Sequence, residues 1–218
     1  TLFPHTTLFR SLIEALNNGE DIHTFTAKNI FGIDKDEDVL AEMRRTAKIV
    51  NFGIMYGAGP FRLSKELDVP FGEAKKIKDA YFSKYKGIEE YIAKSKVLIK
   101  SEKSVQTLLG RKRAVWDSDS QNKIRRDAAE RMAINMPIQG TAAEMIKLAM
   151  IKIYKDLKDN NLKSKLILQV HDELLLEVHK DELDYISEMV VKNMKNAMEL
   201  DVPIEIDCGF GPSWFEAH

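Results

Sequence analysis

Four side chains between residues 44 and 56 give the clearest indication of chemistry in this sequence. Cations and then aromatic residues recur there every four positions, at Arg44, Lys48, Phe52 and Tyr56. In a helix this spacing forms one slowly turning stripe along a single face. Two cations followed by two rings fit a ligand with a polyphosphate at one end and a base at the other, such as a nucleoside triphosphate. The spacing alone is also typical of an ordinary amphipathic helix with half-buried rings.

A second polar group separates two apolar stretches, KLILQV at 165–170 and LLLEV at 174–178. The group consists of His171, Asp172 and Glu173. Two strands on either side of a polar turn would place these carboxylates at one end of a sheet. Because Asp is a favoured turn residue, the pattern alone is also typical of a solvated hairpin tip.

Helices are expected to carry the first group, and strands the second. From Ile22 to Asn160 the pattern predicts helices, interrupted at glycines and prolines that include Gly32, Pro60 and Pro137. LGRKR at 109–113 predicts a tight hairpin rich in cations. After residue 164 we expect two strands, a helix from about 181 to 200, and a last strand formed by VPIEID at 202–207. The fold class is therefore α+β, with an antiparallel sheet packed by helices.

The charges are distributed unevenly along the chain, although the formal net charge is only −1. Residues 44–126 carry 20 Lys and Arg against nine Asp and Glu, whereas the rest of the chain carries 13 against 25. A basic middle segment can follow a phosphate backbone, and the acidic flanks can hold metal or face solvent. A merely solvated basic region would give the same totals.

Cys208 is the single cysteine, which excludes an internal disulfide and a cysteine-rich zinc site. We expect it to pack as a small apolar residue in a reducing compartment. No apolar run approaches the roughly 20 residues that span a bilayer, and the start lacks the order of a secretory signal. The sequence thus predicts a cytoplasmic protein with no membrane partner.

RRTAKIVNFGIMYG, residues 44–57, resembles the fingers-helix signature of the family A, DNA polymerase I-like enzymes. The resemblance implies that Arg44 and Lys48 bind the incoming triphosphate and that Lys48 protonates the leaving pyrophosphate. Phe52 would lie against the sugar and base and would discriminate against dideoxynucleotides. Gly53 and Tyr56 would shape the pocket for the templating base.

Two further segments resemble the same family. GEDIHTFTAKNIFG, at 19–32, is similar to the stretch before the fingers helix and implies a triphosphate contact for His23, with Asp21 capping the helix. QVHDELLLEV, at 169–178, is similar to the metal-binding motif of the palm. That similarity implies that Asp172 binds Mg²⁺, with Glu173 as a second candidate ligand, and that Gln169 and His171 lie near the primer end. Nucleotidyl transfer by two Mg²⁺ ions needs carboxylates from at least two chain segments.

DNA contacts are implied by two other segments. AERMAINMPIQGTAAEMIKLAM, from residue 129, resembles the family helix along the DNA minor groove, whose polar positions correspond to Arg131, Asn135 and Gln139. Amide and guanidinium donors there can check the shape of a base pair without reading its sequence. QTLLGRKR, at 106–113, resembles another family stretch, and its cations would meet phosphates at Arg111, Lys112 and Arg113.

The resemblance runs from about Leu12 to the end, with fingers over 12–118 and the C-terminal part of the palm over 119–218. TLFPHTTLFRS, at 1–11, resembles the translation of a sequencing adapter, and we expect it to be a non-native tail. The family motif with the other metal-binding Asp and the ribose-excluding Glu is absent from the sequence. We therefore expect a fragment of a DNA-directed DNA polymerase of replication or repair, monomeric, nearly inactive alone, with primed DNA and dNTPs as its partners. A noncatalytic nucleic-acid-binding module and an RNA-copying relative remain the alternatives.

Overall fold

The computed structural model describes residues 10–217, which form helices and two small antiparallel sheets, so the fold class is α+β as predicted. One compact unit ends at Gln139 and a second begins at Gly140. In chain order the elements are α1 (Arg10–Asn17), α2 (Ile22–Phe31), α3 (Ala41–Met55), α4 (Pro60–Leu67), α5 (Phe71–Lys84), α6 (Lys86–Glu102), β1 (Ser104–Gln106), β2 (Lys112–Ala114), α7 (Lys123–Asp159), β3 (Lys165–Val170), β4 (Glu173–Glu177), α8 (Leu183–Lys195) and α9 (Trp214–Ala217).

The helices of the first unit begin and end at residues that suit those positions. Asp21 is the N-cap of α2, and Gly32 ends that helix with a φ of 68°, a left-handed conformation that glycine adopts without a steric cost. Pro60 begins α4, where its missing N–H would have had no partner in the helix. These local signals explain why the predicted interruptions at Gly32 and Pro60 agree with the structure.

The main core of the first unit lies between α2, α3, α4, α5 and the start of α6. Its most deeply buried side chains include Val50, Ile54, Leu63 and Ile88, none more than 1% exposed. Burial of each such side chain stabilises the folded state by about 1.5–3 kcal/mol, and this burial holds α3 against the other helices. Tyr81 and Tyr85 close the same core, with ring centroids 4.7 Å apart.

The predicted cationic hairpin is present as strands β1 and β2. They pair antiparallel, with Val105 opposite Arg113, and Gly110 turns the loop with a φ of 84°. Val105 is buried with Ile99 of α6 and Ala133 of α7 in a second cluster of the same unit. The hairpin is therefore fixed to the helical core on one face and exposes its cations.

In the second unit, β3 and β4 form the predicted hairpin, with a bulge in the register between Leu166 and Leu168. An extra residue in one strand bends it and increases its twist. α8 packs beside the carboxyl half of α7, with Ile153, Ile186 and Val190 buried between them. The sheet is thus packed by helices, as the sequence predicts.

Three expectations differ from the structure. Residues 202–207 form no strand, because among the residues described here both sheets are two-stranded and none of their strands pairs with this segment. Pro137 lies inside α7 and does not end it; the buried Ala133 and Ile134 of the preceding turn keep the helix packed through the missing hydrogen bond. Cys208 is exposed and not packed, because the irregular chain around it pairs with no strand among the described residues.

Within residues 10–217, no helix is long and apolar enough to cross a membrane. The expected tail at 1–11 lies mostly outside the described residues, and Arg10 and Ser11 belong to α1. The expected boundary between fingers and palm, at 118 and 119, remains a prediction.

Candidate functional site

The predicted stripe lies on the exposed side of α3. Ala47, Val50 and Ile54 are buried on the opposite side. Burial of that apolar side fixes the rotation of the helix. Arg44, Lys48 and Phe52 consequently face outward, with Tyr56 half-buried at the end of the helix.

The aromatic end of the stripe is completed by a residue of α2. The Phe52 and Tyr56 rings are stacked, with centroids 6.4 Å apart and an interplanar angle of 18°. The centroid of the His23 ring lies 5.6 Å from that of Phe52, and the two ring planes are tilted by 53°. Phe52 is 48% exposed, so part of its ring remains accessible to a flat ligand.

Asp21 connects the start of α2 to the cationic end of the stripe. Its carboxylate accepts the backbone N–H of His23 at 2.9 Å and the Thr24 hydroxyl at 3.0 Å. The same carboxylate accepts the Nε–H of Arg44 at 2.5 Å. Burial raises the pKa of Asp21, but the hydrogen bonds from Arg44 and His23 outweigh it and lower the pKa to about 2. The carboxylate is therefore ionised and positions the guanidinium, whose two terminal NH₂ groups take no part in this bond.

His23 is half-buried between α2 and α3. Its Nδ1 lies 3.0 Å from the Nδ2 of Asn51. Burial lowers the pKa of His23; Asp21 raises it, and the charges of Arg44 and Lys48 lower it further. The imidazole is thus held neutral beside two cations.

Gly53 and Gly57 allow two close approaches. A Cβ on Gly53 would lie 3.1 Å from the Cδ2 of Leu63, so this glycine lets α4 pack against α3. Gly57 has a φ of 77°, and a Cβ there would lie 3.1 Å from Ile134 and 3.6 Å from Arg131. Arg131 of α7 therefore packs beside the turn that follows Tyr56. The template-pocket role of Gly53 and Tyr56 remains a prediction.

The three polar residues expected at the minor groove recur every four positions in α7. Arg131 and Gln139 are exposed, and Asn135 is half-buried between them. The Oδ1 atom of Asn135 is buried and has no hydrogen-bond partner within the part of the chain that the structure describes. A buried amide oxygen without a hydrogen-bond partner is costly, and a ligand or an ordered water bound at this position would satisfy it.

The cations of the β1–β2 hairpin are exposed, at Arg111, Lys112 and Arg113. The loop is held by Thr107, whose hydroxyl accepts the Arg111 N–H at 3.1 Å and whose own N–H donates to the Arg111 carbonyl at 3.0 Å. The backbone of the cationic loop is therefore fixed while its side chains stay open to solvent.

In the second unit, the β3–β4 turn has only two residues between the paired Val170 and Glu173. His171, the first of them, has a φ of 53°, a left-handed conformation that costs a residue with a Cβ about 1–2 kcal/mol. The Gln169 side chain donates its Nε2–H to the His171 carbonyl at 2.6 Å. Asp172, the second turn residue, is exposed at the tip.

Asp172 and Glu173 offer hard carboxylate oxygens, the donor type that Mg²⁺ prefers. Across residues 10–217, no three His, Cys, Asp or Glu side chains group together to hold a metal ion. The two acids therefore fit Mg²⁺ as part of a ligand set that other residues would complete.

The structure brings His23, Arg44, Phe52 and Tyr56 together in the first unit, and Gln169, His171, Asp172 and Glu173 in the second. Two interactions were missed from the sequence: the Asp21–Arg44 ion pair, and a buried hydrogen-bonded chain of Asn51, Thr26 and Tyr85. A polar Asn51 beside Val50 on the apolar side of α3 was the available signal for the second.

The chain is similar to known proteins in both sequence and structure. Residues 3–216 match the sequence model of DNA polymerase family A. The chain therefore belongs to DNA polymerase family A. The match begins before Leu12, so the similarity extends further toward the amino end than the sequence motifs indicate.

Among curated relatives, DNA polymerase I of Caldicellulosiruptor bescii is 45% identical over 205 residues, or 94% of this chain and 24% of the relative. DNA polymerase I of Bacillus subtilis is 43% identical over 213 residues, or 98% of this chain and 24% of the relative. The structure of the polymerase domain of Pol1 from M. smegmatis, in complex with DNA primer-template and dNTP, matches with a TM-score of 0.92 and 40% identity, over 97% of this chain and 38% of that chain. The chain thus spans about a quarter of the length of the curated relatives.

Proposed function

We propose that this chain supplies the nucleotide-binding surface and one metal-binding carboxylate of a DNA-directed DNA polymerase. The observation that carries the proposal is the exposed stripe of α3, on which Arg44 and Lys48 precede the stacked Phe52 and Tyr56, with His23 against Phe52. The family match supports a nucleotide as the ligand of this stripe. The reaction would join a dNTP to the 3′-hydroxyl of a primer.

In this reaction the 3′-hydroxyl loses its proton to water and its oxygen bonds to the α-phosphorus, while the bond from the α-phosphorus to the oxygen that bridges it to the β-phosphorus breaks and pyrophosphate leaves. Arg44 and Lys48 would bind the phosphates, because charge-assisted hydrogen bonds to anionic oxygens are stronger than neutral ones. Asp21 would keep the guanidinium of Arg44 in place through its Nε. Lys48 would donate a proton to the departing pyrophosphate, and Phe52 would lie against the sugar and base.

Asp172 would hold Mg²⁺, with Glu173 as a second candidate ligand. When bound, Mg²⁺ stabilises the negative charge that develops on the attacking and leaving oxygens. The exposed position of Asp172 at the tip of a two-residue turn leaves its oxygens accessible. A second carboxylate segment, of the kind that the family motif absent from this sequence contains, would complete the ligand set.

Primed DNA would be the second partner, in agreement with the M. smegmatis structure, which contains DNA primer-template and dNTP. Arg131, Asn135 and Gln139 would contact the minor groove, and the exposed Arg111 and Arg113 would meet phosphates. Gln169 and His171 would lie near the primer end. We further propose that the protein acts in the cytoplasm and as a monomer.

The experiment that tests the proposal is binding of a dNTP to the full chain with primed DNA, measured for Lys48→Ala and for Arg45→Ala. Both residues are exposed cations of α3, but Arg45 lies one position after Arg44 and therefore on another side of the helix. Lys48→Ala is expected to weaken dNTP binding by about tenfold or more, the loss typical of one charge-assisted hydrogen bond. Arg45→Ala is expected to leave it unchanged.

Equal affinities for the two variants would contradict the assignment of the stripe. Binding of DNA without any dNTP affinity would favour the noncatalytic nucleic-acid-binding module.

A further inference from the structure

The His23 side chain stands at the end of a buried chain of hydrogen bonds that begins at Tyr85. The Tyr85 hydroxyl lies 2.9 Å from the Oγ1 of Thr26, Thr26 Oγ1 lies 3.1 Å from the Oδ1 of Asn51, and Asn51 Nδ2 lies 3.0 Å from His23 Nδ1. Thr26 is fully buried and Tyr85 is 4% exposed. Solvent therefore has little opportunity to replace the bonds that Thr26 makes with Tyr85 and Asn51.

Each hydroxyl in this chain has one hydrogen, so the chain has a direction. Among the described residues, the Tyr85 hydroxyl has Thr26 as its hydrogen-bond partner. A buried phenol without an acceptor for its hydrogen loses about 1–3 kcal/mol, so Tyr85 donates to Thr26. The hydrogen of Thr26 is then directed to the Oδ1 of Asn51.

The direction of the chain sets the orientation of the Asn51 amide. With Oδ1 accepting from Thr26, the NH₂ group of Asn51 faces His23. Only an unprotonated Nδ1 can accept from an NH₂ group, so the hydrogen of the neutral imidazole lies on Nε2. The opposite amide orientation would require the hydrogen on Nδ1 and would leave one of the two hydroxyls, that of Tyr85 or that of Thr26, without an acceptor.

We propose that Tyr85, Thr26 and Asn51 are positioning residues that hold His23 as the neutral Nε2–H tautomer, so that Nε2 donates a hydrogen bond to an anionic phosphate oxygen of the bound nucleotide. The proposal rests on the proposed function for the identity of the ligand. A neutral donor adds a hydrogen bond without adding a third positive charge beside Arg44 and Lys48. Burial of His23 and these two cations, which lower its pKa, act in the same direction.

The test is the tautomer of His23, observed by long-range proton–nitrogen NMR of the full chain labelled with ¹⁵N-histidine. The His23 signals are assigned with His23→Gln. The expected result is a protonated Nε2 and an unprotonated Nδ1 before any nucleotide is added. A protonated Nδ1, or an even mixture of tautomers, would overturn the proposal.

Tyr85→Phe tests whether the Tyr85 hydroxyl sets the direction of the hydrogen-bond chain, and Tyr81→Phe is its matched control. Tyr85→Phe keeps the ring and removes the hydroxyl, so the Thr26 hydroxyl can either donate to Asn51 or accept from it. A rise in the Nδ1–H tautomer is expected. Tyr81→Phe removes a hydroxyl from the neighbouring buried ring, 4.7 Å from that of Tyr85, and is expected to leave the tautomer unchanged. An unchanged tautomer in a folded Tyr85→Phe chain would contradict the relay, that is, control of the His23 tautomer through the hydrogen bonds of Tyr85, Thr26 and Asn51.

Titration of the same samples with a dNTP in the presence of primed DNA separates the two proposals. Tyr85→Phe is expected to weaken dNTP binding by up to about tenfold, because only the molecules with the Nε2–H tautomer of His23 donate this hydrogen bond to the nucleotide. If the Nε2–H tautomer is present but no dNTP binds, the relay stands and the proposed function fails. If dNTP binds while Nδ1 carries the hydrogen, the relay fails and the proposed function stands.

Discussion

The carboxylate of Asp21 has two roles at the residue scale. It caps α2 by accepting the backbone N–H of His23, and it pairs with the Nε of Arg44 on α3. Both bonds favour the ionised form and lower the pKa of Asp21 to about 2, against the effect of burial. One side chain thus fixes the start of one helix and the direction of a cation on the next.

Two substitutions separate these roles. Asp21→Asn keeps a good N-cap and loses the ion pair, so it is expected to change the free energy of unfolding by less than about 1 kcal/mol, as for exposed pairs. Asp21→Ala loses the cap as well and is expected to be about 1 kcal/mol less stable than Asp21→Asn. Urea unfolding of both variants measures the difference. Equal stability of the two would contradict the capping role.

Glu182 makes the second unit sensitive to acid. Its carboxylate accepts the backbone N–H of Lys163, then the hydroxyl and the N–H of Ser164, and these bonds lower its pKa to about 2. Because the pKa is lower in the folded state, the stabilisation is complete above about pH 4.5 and is lost as the pH falls toward 2. Glu182→Gln should therefore lower the Tm at neutral pH, and the difference from the unchanged chain should shrink below pH 4.

Thermal unfolding between pH 7 and 2.5 measures this effect, with Glu188→Gln as the control. Glu188 is an exposed acid of α8, and its removal is expected to change the Tm little at any pH. A difference for Glu182→Gln that stayed constant with pH would exclude the titration of this carboxylate as the cause.

At the element scale, Asp172 belongs to the two-residue turn between β3 and β4, whose backbone conformation is unusual. His171 adopts a left-handed conformation there, and the Gln169 side chain holds its carbonyl. Short hairpin turns favour glycine at such positions. Backbone strain of this kind is characteristic of functional sites, where the surrounding structure maintains it.

The strain predicts an order of stability for two variants that both remove the imidazole. His171→Gly relieves the left-handed conformation, whereas His171→Ala keeps a Cβ and therefore the strain. The glycine variant is expected to be more stable than the alanine variant by about 1 kcal/mol. Hydrogen exchange of the β3 and β4 amides and thermal unfolding measure the difference. A more stable alanine variant would show that the turn is not left-handed in solution.

Features that depend on residues close together in the sequence were predictable, and features that depend on contacts between residues far apart in the sequence were not. The outward stripe of α3 follows from its apolar period, because burial of Val50 and Ile54 fixes the rotation of the helix. The strand expected at 202–207 was wrong because alternation assigns faces to a strand but does not supply a partner. The contact between His23 and Asn51 joins residues 28 positions apart, so it depends on how α2 packs against α3.

At the scale of the whole molecule, the uneven charge agrees with the proposed division of roles. The basic segment 44–126 lies within the first unit and includes Arg44, Lys48 and the cationic hairpin, whereas the remainder of the chain carries the excess of acids and includes Asp172. The near-zero net charge therefore does not argue against a nucleic-acid partner, since cations on one surface act locally. This distribution could be predicted from the sequence because it needs no knowledge of packing.

Primer extension tests the central claim, that this chain supplies the nucleotide site and a metal-binding carboxylate of a DNA polymerase. The chain is compared with a version joined to a family-like palm segment that contains the missing Asp motif, using a primed DNA template, dNTPs and Mg²⁺. Asp172→Asn is introduced into the joined version, with Asp181→Asn, another exposed acid of the second unit, as the control. We expect primer extension only by the joined version, and the same rate of extension in its Asp181→Asn variant. Asp172→Asn is expected to slow extension at least about a hundredfold, because the transition state loses several kcal/mol of charge stabilisation. Equal extension by Asp172→Asn, or extension by the chain without the added segment, would contradict the account.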